Sequence, residues 1–271
     1  MRSSSNPAFR NLPQGQGQGY ATFDRAGGMA AGMGTAYAAE SQGAPVDPGR
    51  AGVAERPITI DDVVTKTAIA AGTAIVTGTL TAVSGHYGLA LPAFIVGFIV
   101  SLVLIFKPHL AKAPLVLLYS AAMGVALGGI SGLLDNVYPG IALQAIVGTA
   151  GVFIGMLVVY KTGAIRVTPR LTKMIIGAAI GVLILMVANL LISFFVDGGL
   201  GLRSGGPLAI IFSLVCIGIG AFMLLLDFDQ ADQAVKAGVP ARFAWYLAFG
   251  FMTTLVWLYI EILQLLSYFR Q

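Results

Sequence analysis

Leu224-Leu225-Leu226-Asp227-Phe228-Asp229-Gln230-Ala231-Asp232 is the point at which a long apolar run ends abruptly in carboxylates. Upstream, from Val63 to Leu226, only two acids occur, Asp135 and Asp197, and both fall in gaps between hydrophobic segments. Downstream, Glu261 lies inside the last hydrophobic segment, Trp245 to Tyr268. A carboxylate at membrane depth costs about 2.5 to 3.5 kcal/mol on insertion scales, and such residues face a bundle interior or a water-filled path. Asp227, Asp229 and Glu261 are therefore the candidate functional residues.

Composition places these acids in lipid. Of 271 residues, 57% are apolar and 10% are charged, with a mean hydropathy of +0.85, whereas a soluble globular chain carries about 25% charged residues. The 35 glycines suit helices that approach closely in a membrane. No basic tract with interleaved aromatics accompanies the net charge of +4, so a nucleic-acid partner is not expected. Cys216 is the single cysteine and lies in an apolar run, which excludes an intrachain disulfide and reads as a small buried hydrophobe. Met1 to Pro7 is not followed by an apolar core, so no cleavable signal peptide is expected and the first transmembrane helix directs insertion.

Seven apolar stretches follow one another near 63–83, 89–106, 114–134, 141–160, 174–196, 207–226 and 245–268. Each approaches the roughly 20 residues a helix needs to span hydrocarbon. Turn formers such as Ser84-Gly85-His86, Lys107-Pro108-His109 and Tyr138-Pro139-Gly140 separate them. Thr59-Ile60-Asp61-Asp62 reads as an N-terminal cap opening the first span near Asp61. The expected architecture is an all-α bundle of seven transmembrane helices over 57–271, with the seventh central. Residues 1–56, rich in Gly, Ala, Ser, Gln and Pro, form an expected disordered cytoplasmic tail.

Connectors 2-3, 4-5 and 6-7 carry Lys107, Lys112, Lys161, Arg166, Arg170, Lys173, Lys236 and Arg242, whereas the alternate connectors carry only Arg203. The positive-inside rule then puts the N-terminus in the cytoplasm and the C-terminus outside. It also puts Asp227 at the cytoplasmic end of the sixth helix. Glu261 lies 16 residues beyond Trp245, roughly 24 Å along a helix, which strains a direct contact with Asp227. The strain eases if residues 241 to about 250 form helical turns in the cytoplasm.

Asp227 and Asp229 point in nearly opposite directions on a continuing helix, so only one can face the bundle axis. Asp229 and Asp232 share a ridge, and Lys236 is placed to pair with Asp232 at i, i+4. That ridge reads as an ordinary solvated helix end, which leaves Asp227 as the inward carboxylate. In the last segment Thr254, Trp257, Glu261, Gln264 and Tyr268 follow spacings of three and four, a polar stripe on one helix face. Two acids converging in a low dielectric titrate as a pair. Protonated, they can share a hydrogen bond and close a path; deprotonated, they are hard ligands for a cation such as Ca²⁺. Lys107 or His109 is a candidate latch for Asp227, although an ordinary positive loop accounts for both.

The sequence lacks a His-Glu-x-x-His zinc motif, a Gly-x-Ser-x-Gly elbow and a Walker A loop. An enzyme is not expected, nor is a resident cofactor.

Leu226-Asp227-Phe228-Asp229-Gln230 and Leu258-Tyr259-Ile260-Glu261-Ile262 resemble the sixth- and seventh-helix motifs of the transmembrane Bax inhibitor motif family. Asn6-Pro7-Ala8-Phe9-Arg10, Asp61 to Thr67, Tyr138-Pro139-Gly140-Ile141 and Arg203-Ser204-Gly205-Gly206-Pro207 are similar to its bacterial branch. The resemblance covers roughly 57 to 270. It implies a multi-pass protein of a bacterial plasma membrane that lets Ca²⁺ leak in a pH-dependent way. Carried over, Asp227 and Glu261 are the sensor pair and Ca²⁺ ligands, with Asp229 as an alternative to Asp227 and Lys107 as the latch. Glutamate at 261 departs from the family's aspartate and lengthens the reach. Two other classes remain open: a non-conducting regulator that binds partner proteins through its tail, and a proton-coupled transporter of a small solute.

Overall fold

The Thr59 hydroxyl accepts from the Asp62 amide while the Asp62 carboxylate accepts from the Thr59 amide, the reciprocal cap expected of this spacing. It opens α1, Ile60–Ser84, in the computed structural model of the protein, which describes residues 56–196 and 199–271. The others are α2 Ala90–Phe106, α3 Ala113–Val137, α4 Ile141–Thr162, α5 Pro169–Ser193, α6 Pro207–Lys236 and α7 Ala244–Tyr268. With short flanking turns counted, all seven helices are long and apolar enough to cross a membrane. A helix closes its own backbone hydrogen bonds, which hydrocarbon cannot do for it. Among the described residues the only β pairing is an isolated bridge between Pro57 and Pro240. The expected disordered tail up to residue 55, and the placing of Asp197 in a connector, fall outside the described residues.

Three helices depart from their expected limits. α3 continues three residues past Leu134 to Val137 and takes in Asp135, expected in a connector. α5 starts five residues earlier, at Pro169, because Thr168 caps it by accepting from the Leu171 amide and proline suits the first helical position. α6 runs on to Lys236 instead of stopping at Leu226. Residues 227 to 236 contain neither Gly nor Pro, and Gln233 donates to Asp229 and Lys236 to Asp232, each at i, i+4. Gly238, at φ 65°, follows the helix end.

α1 and α3 pack backbone against backbone. A Cβ at Gly128 would lie 2.1 Å from the Gly78 carbonyl oxygen, and one at Gly124 would lie 2.4 Å from that of Ala74. Small residues four apart are what such an approach requires in lipid. α7 packs against α1, α3, α4 and α6, and 56% of its most apolar stretch is buried, against 11% for α5. The seventh helix is therefore central, as the sequence predicts, and α5 is peripheral.

The two ends of the bundle are each tied together. At one, the Ile58 amide donates to the Val239 carbonyl (2.8 Å) and the Ala241 amide to that of Arg56 (3.0 Å), strapping the start of α1 to the α6–α7 connector. At the other, Arg270 donates to the Pro139 carbonyl and to Gln144, both at 2.9 Å. The start of α1 and the C-terminus thus sit at opposite ends, as seven spans demand.

Candidate functional site along α6 and α7

The extension of α6 moves Asp227 nine residues inside the helix end, about 14 Å. Its carboxylate accepts from the Thr254 hydroxyl of α7 at 2.7 Å. Thr254 is ten residues into α7, roughly 15 Å, so Asp227 lies well inside the bundle. Residues 241 to 250 are helical, as a short turn over Ala241–Phe243 and the start of α7, and the unexpected extension of α6 past Leu226 brings Asp227 to the polar stripe of α7.

Two cavities meet at Asp227. One, of about 280 Å³, lies between α5, α6 and α7, where Ile180, Leu183, Met223 and Trp257 supply much of its wall. The other, of about 90 Å³, reaches toward Tyr246, Phe249 and Gly250 at the start of α7. Asp227 and Gln230 line both. The Asp227 carboxylate is thus partly exposed and borders both cavities.

Glu261 occupies a different setting. It is 2% exposed and accepts from the Arg203 guanidinium at 2.9 Å through Oε1. Arg203 comes from the α5–α6 connector, and its side chain retains 31% exposure against 3% for that of Glu261. The arginine therefore reaches from the bundle surface to a buried acid. Ser213 of α6 lies beside the same carboxylate. Glu261 Oε2, Gln264 Oε1 and Trp257 Nε1 are buried without a hydrogen-bonding partner. All three lie on the α7 stripe that the three-and-four spacing predicts.

The structure does not bring Asp227 and Glu261 into contact. Thr254 and Glu261 are seven residues apart on α7, about 10 Å along its axis, and each acid has its own partner. Asp229 is on the solvated ridge, bonded by Gln233 at 2.6 Å, and takes no part in the seam. The expected Lys107 latch is not formed either: Lys107 is exposed at the C-terminal cap of α2, and Asp227 is held by Thr254. His109 is likewise exposed.

Arg203 is the residue that sequence reasoning missed. It was visible as the only basic residue in the alternate connectors, but nothing local pointed it at Glu261, 58 positions away. Among the described residues no cluster of three or more His, Cys, Asp or Glu has the form of a metal site.

Seven apolar helices, the seventh central and carrying a buried acid on its polar face, define a multi-pass membrane protein that contacts the bilayer. The family model described as Bax inhibitor 1 like matches residues 6–271, and the chain belongs to that family. No curated protein matches the chain.

Proposed function

We propose that the protein is a non-enzymatic cation leak pathway, with Ca²⁺ as the cargo and acid as the closing signal. The observation that carries the reading is the α7 stripe: Thr254, Trp257, Glu261 and Gln264 run along one buried face, with Asp227 bonded to its first member. Three polar atoms on that stripe lack protein partners, and such groups are costly in a dry interior. A hydrated path along α7 accounts for them. Asp227 and Glu261 then act in series, about two helical turns apart, rather than as one hydrogen-bonded dyad. Ionised carboxylates are hard ligands suited to Ca²⁺, and protonation removes that charge. Flux therefore falls as pH falls.

Membership of the family is compatible with a channel or a transporter. The basic residues that cluster at the end shared by the start of α1 and the α6–α7 connector support a cytoplasmic N-terminus and an outer C-terminus, in a bacterial plasma membrane by the family likeness. A second reading rests on the Arg203–Glu261 ion pair: a paired acid is also what structural glue looks like, as in a membrane regulator that works through protein partners.

Ca²⁺ entry into liposomes holding the purified protein, followed from pH 5 to 8, separates the two. We expect entry to be greatest at pH 8 and to fall several-fold toward pH 5. Asp227→Asn is expected to remove most of that dependence while leaving the helical fold intact. Equal entry into empty and protein-loaded liposomes at every pH sinks the conduction reading in favour of the regulator.

A further inference from the structure

The strap between the start of α1 and the α6–α7 connector is built for rigidity. Pro57 and Pro240 face each other as an antiparallel pair, flanked by the hydrogen bonds from Ile58 to Val239 and from Ala241 to Arg56. In a pair flanked in this way the two facing residues exchange no hydrogen bonds of their own. Prolines, which have no N–H to offer, therefore fit there without loss, and their rings fix φ. Pro240, at φ −57° and ψ 143°, is extended. Arg56, whose carbonyl accepts from Ala241, is itself held by two hydrogen bonds to Asp62, at 2.7 and 2.6 Å. Asp62 also closes the cap of α1. The strap and the first turn of α1 are thus one unit.

Two side chains carry the hold of that unit from the connector into α7. Lys66, on the second turn of α1, donates to the Ala241 carbonyl at 2.7 Å, and its ammonium lies over the Trp245 ring, 5.7 Å from the centroid. Ile58 is 3% exposed and packs in a cluster that takes in Ala234 of α6 with Ala244 and Leu247 of α7. Leu247 and its neighbour Tyr246 line the smaller cavity beside Asp227. The start of α1 therefore grips the first turn of α7, and the residues that follow on that helix are the wall of the cavity.

We propose that residues 56–58, together with Lys66, are a clasp that sets how closely the first two turns of α7 stand to α6, and so governs the width of the small cavity beside Asp227. With the clasp fastened, as here, the cavity holds about 90 Å³, room for a few water molecules. With the clasp loosened, the wall at residues 246–250 moves off α6, and water and cations reach Asp227 from the end of the bundle at which α1 starts. The effect of the clasp on ion flux rests on the reading of this seam as a cation route. Its effect on access to the cavity does not. The clasp works by position, and so differs from any control exerted through protonation of Asp227.

Gly250 supplies the reporter, because it lines this cavity and a Cβ there would meet nothing within 4 Å. Gly250→Cys is made in a Cys216→Ala background, which removes the single, buried native thiol. The test is the rate at which a water-soluble, positively charged methanethiosulfonate modifies position 250 of the purified protein in detergent, followed by mass spectrometry of the α7 peptide. Pro57→Gly/Ile58→Gly loosens the clasp and leaves the Thr59–Asp62 cap in place; we expect it to speed modification about fivefold or more. A folded loosened variant whose reporter reacts at the parent rate overturns the clasp. If that variant does not fold, Pro57→Cys/Pro240→Cys fastens the clasp instead. The Cα atoms of such a facing pair lie about 4.5 Å apart, within reach of a disulfide. The oxidised form should react at position 250 more slowly than the reduced form, and equal rates overturn the clasp. Ca²⁺ entry into liposomes keeps this outcome apart from that of the conduction reading. A protein that leaks, with a reporter indifferent to both changes, removes the clasp alone. A protein that does not leak, with a reporter that responds, removes conduction and leaves the clasp.

Discussion

Asp227 and Glu261 lie on the same seam between α6 and α7, yet the bundle treats them in opposite ways. Asp227 has a neutral partner, Thr254 at 2.7 Å, and opens onto two cavities. Glu261 has a cationic partner, Arg203 at 2.9 Å, and is almost wholly buried. Where solvent space reaches a carboxylate, a hydroxyl is enough to orient it. Where the acid is enclosed, its charge must be matched, because an unmatched buried ion costs several kcal/mol. One residue class thus sits beside open space at one level of the seam and in a closed ion pair two turns away.

The sharpest way to break that contrast is to remove each partner in turn. Arg203→Ala leaves a buried carboxylate with no cation, and we expect a loss of about 3–5 kcal/mol in stability. Glu261→Gln leaves a part-exposed arginine, 31% exposed along its side chain, and not an enclosed unmatched ion, so its cost should be nearer about 1–3 kcal/mol. Chemical denaturation of the detergent-solubilised protein measures both. Equal losses from the two substitutions mean that the asymmetry in burial is not what holds the pair.

At the other level the expected effect is smaller. Thr254→Val removes the donor to Asp227 without changing side-chain shape. Because two cavities border Asp227, water can replace the lost bond, and the cost should be about 1 kcal/mol. A loss as large as that of Arg203→Ala would place Asp227 in a site as closed as that of Glu261, and the contrast would collapse.

This division also marks how far the sequence could be read. The spans, the Thr59 cap, the Asp232–Lys236 pair and the α7 stripe all follow from neighbours within about four positions, where spacing alone fixes which groups meet. The central place of α7 was legible for the same reason, since a polar stripe on an apolar helix calls for a buried face. The length of α6 was partly legible: residues 227 to 236 hold no helix breaker, but a criterion based on apolar runs stops at Leu226. Contacts between distant segments were not legible. Thr254 was on the predicted stripe while its bond to Asp227, 27 positions away, was not predictable from either helix. Gly124 and Gly128 counted only as composition, although their four-residue spacing carries the α1–α3 contact.

Lys107 gives the smallest expected effect and tests the contrast from outside. The sequence offered it as the cation that holds Asp227 shut, which would have made both acids members of ion pairs. In the structure Lys107 is an exposed residue at the end of α2, a helix that packs chiefly on α3. Exposed charges without a structured partner change stability by no more than about 0.5 kcal/mol, and a charge screened by solvent exerts little pull across several ångströms of bundle. Lys107→Ala should therefore leave Ca²⁺ entry, its pH dependence and the unfolding midpoint as they are in the wild type. A rise in entry at pH 8 with stability unchanged would mean that Lys107 reaches Asp227 in a state other than this one. Asp227 would then belong with Glu261 as a carboxylate locked by a cation, and the seam would have two locks in series.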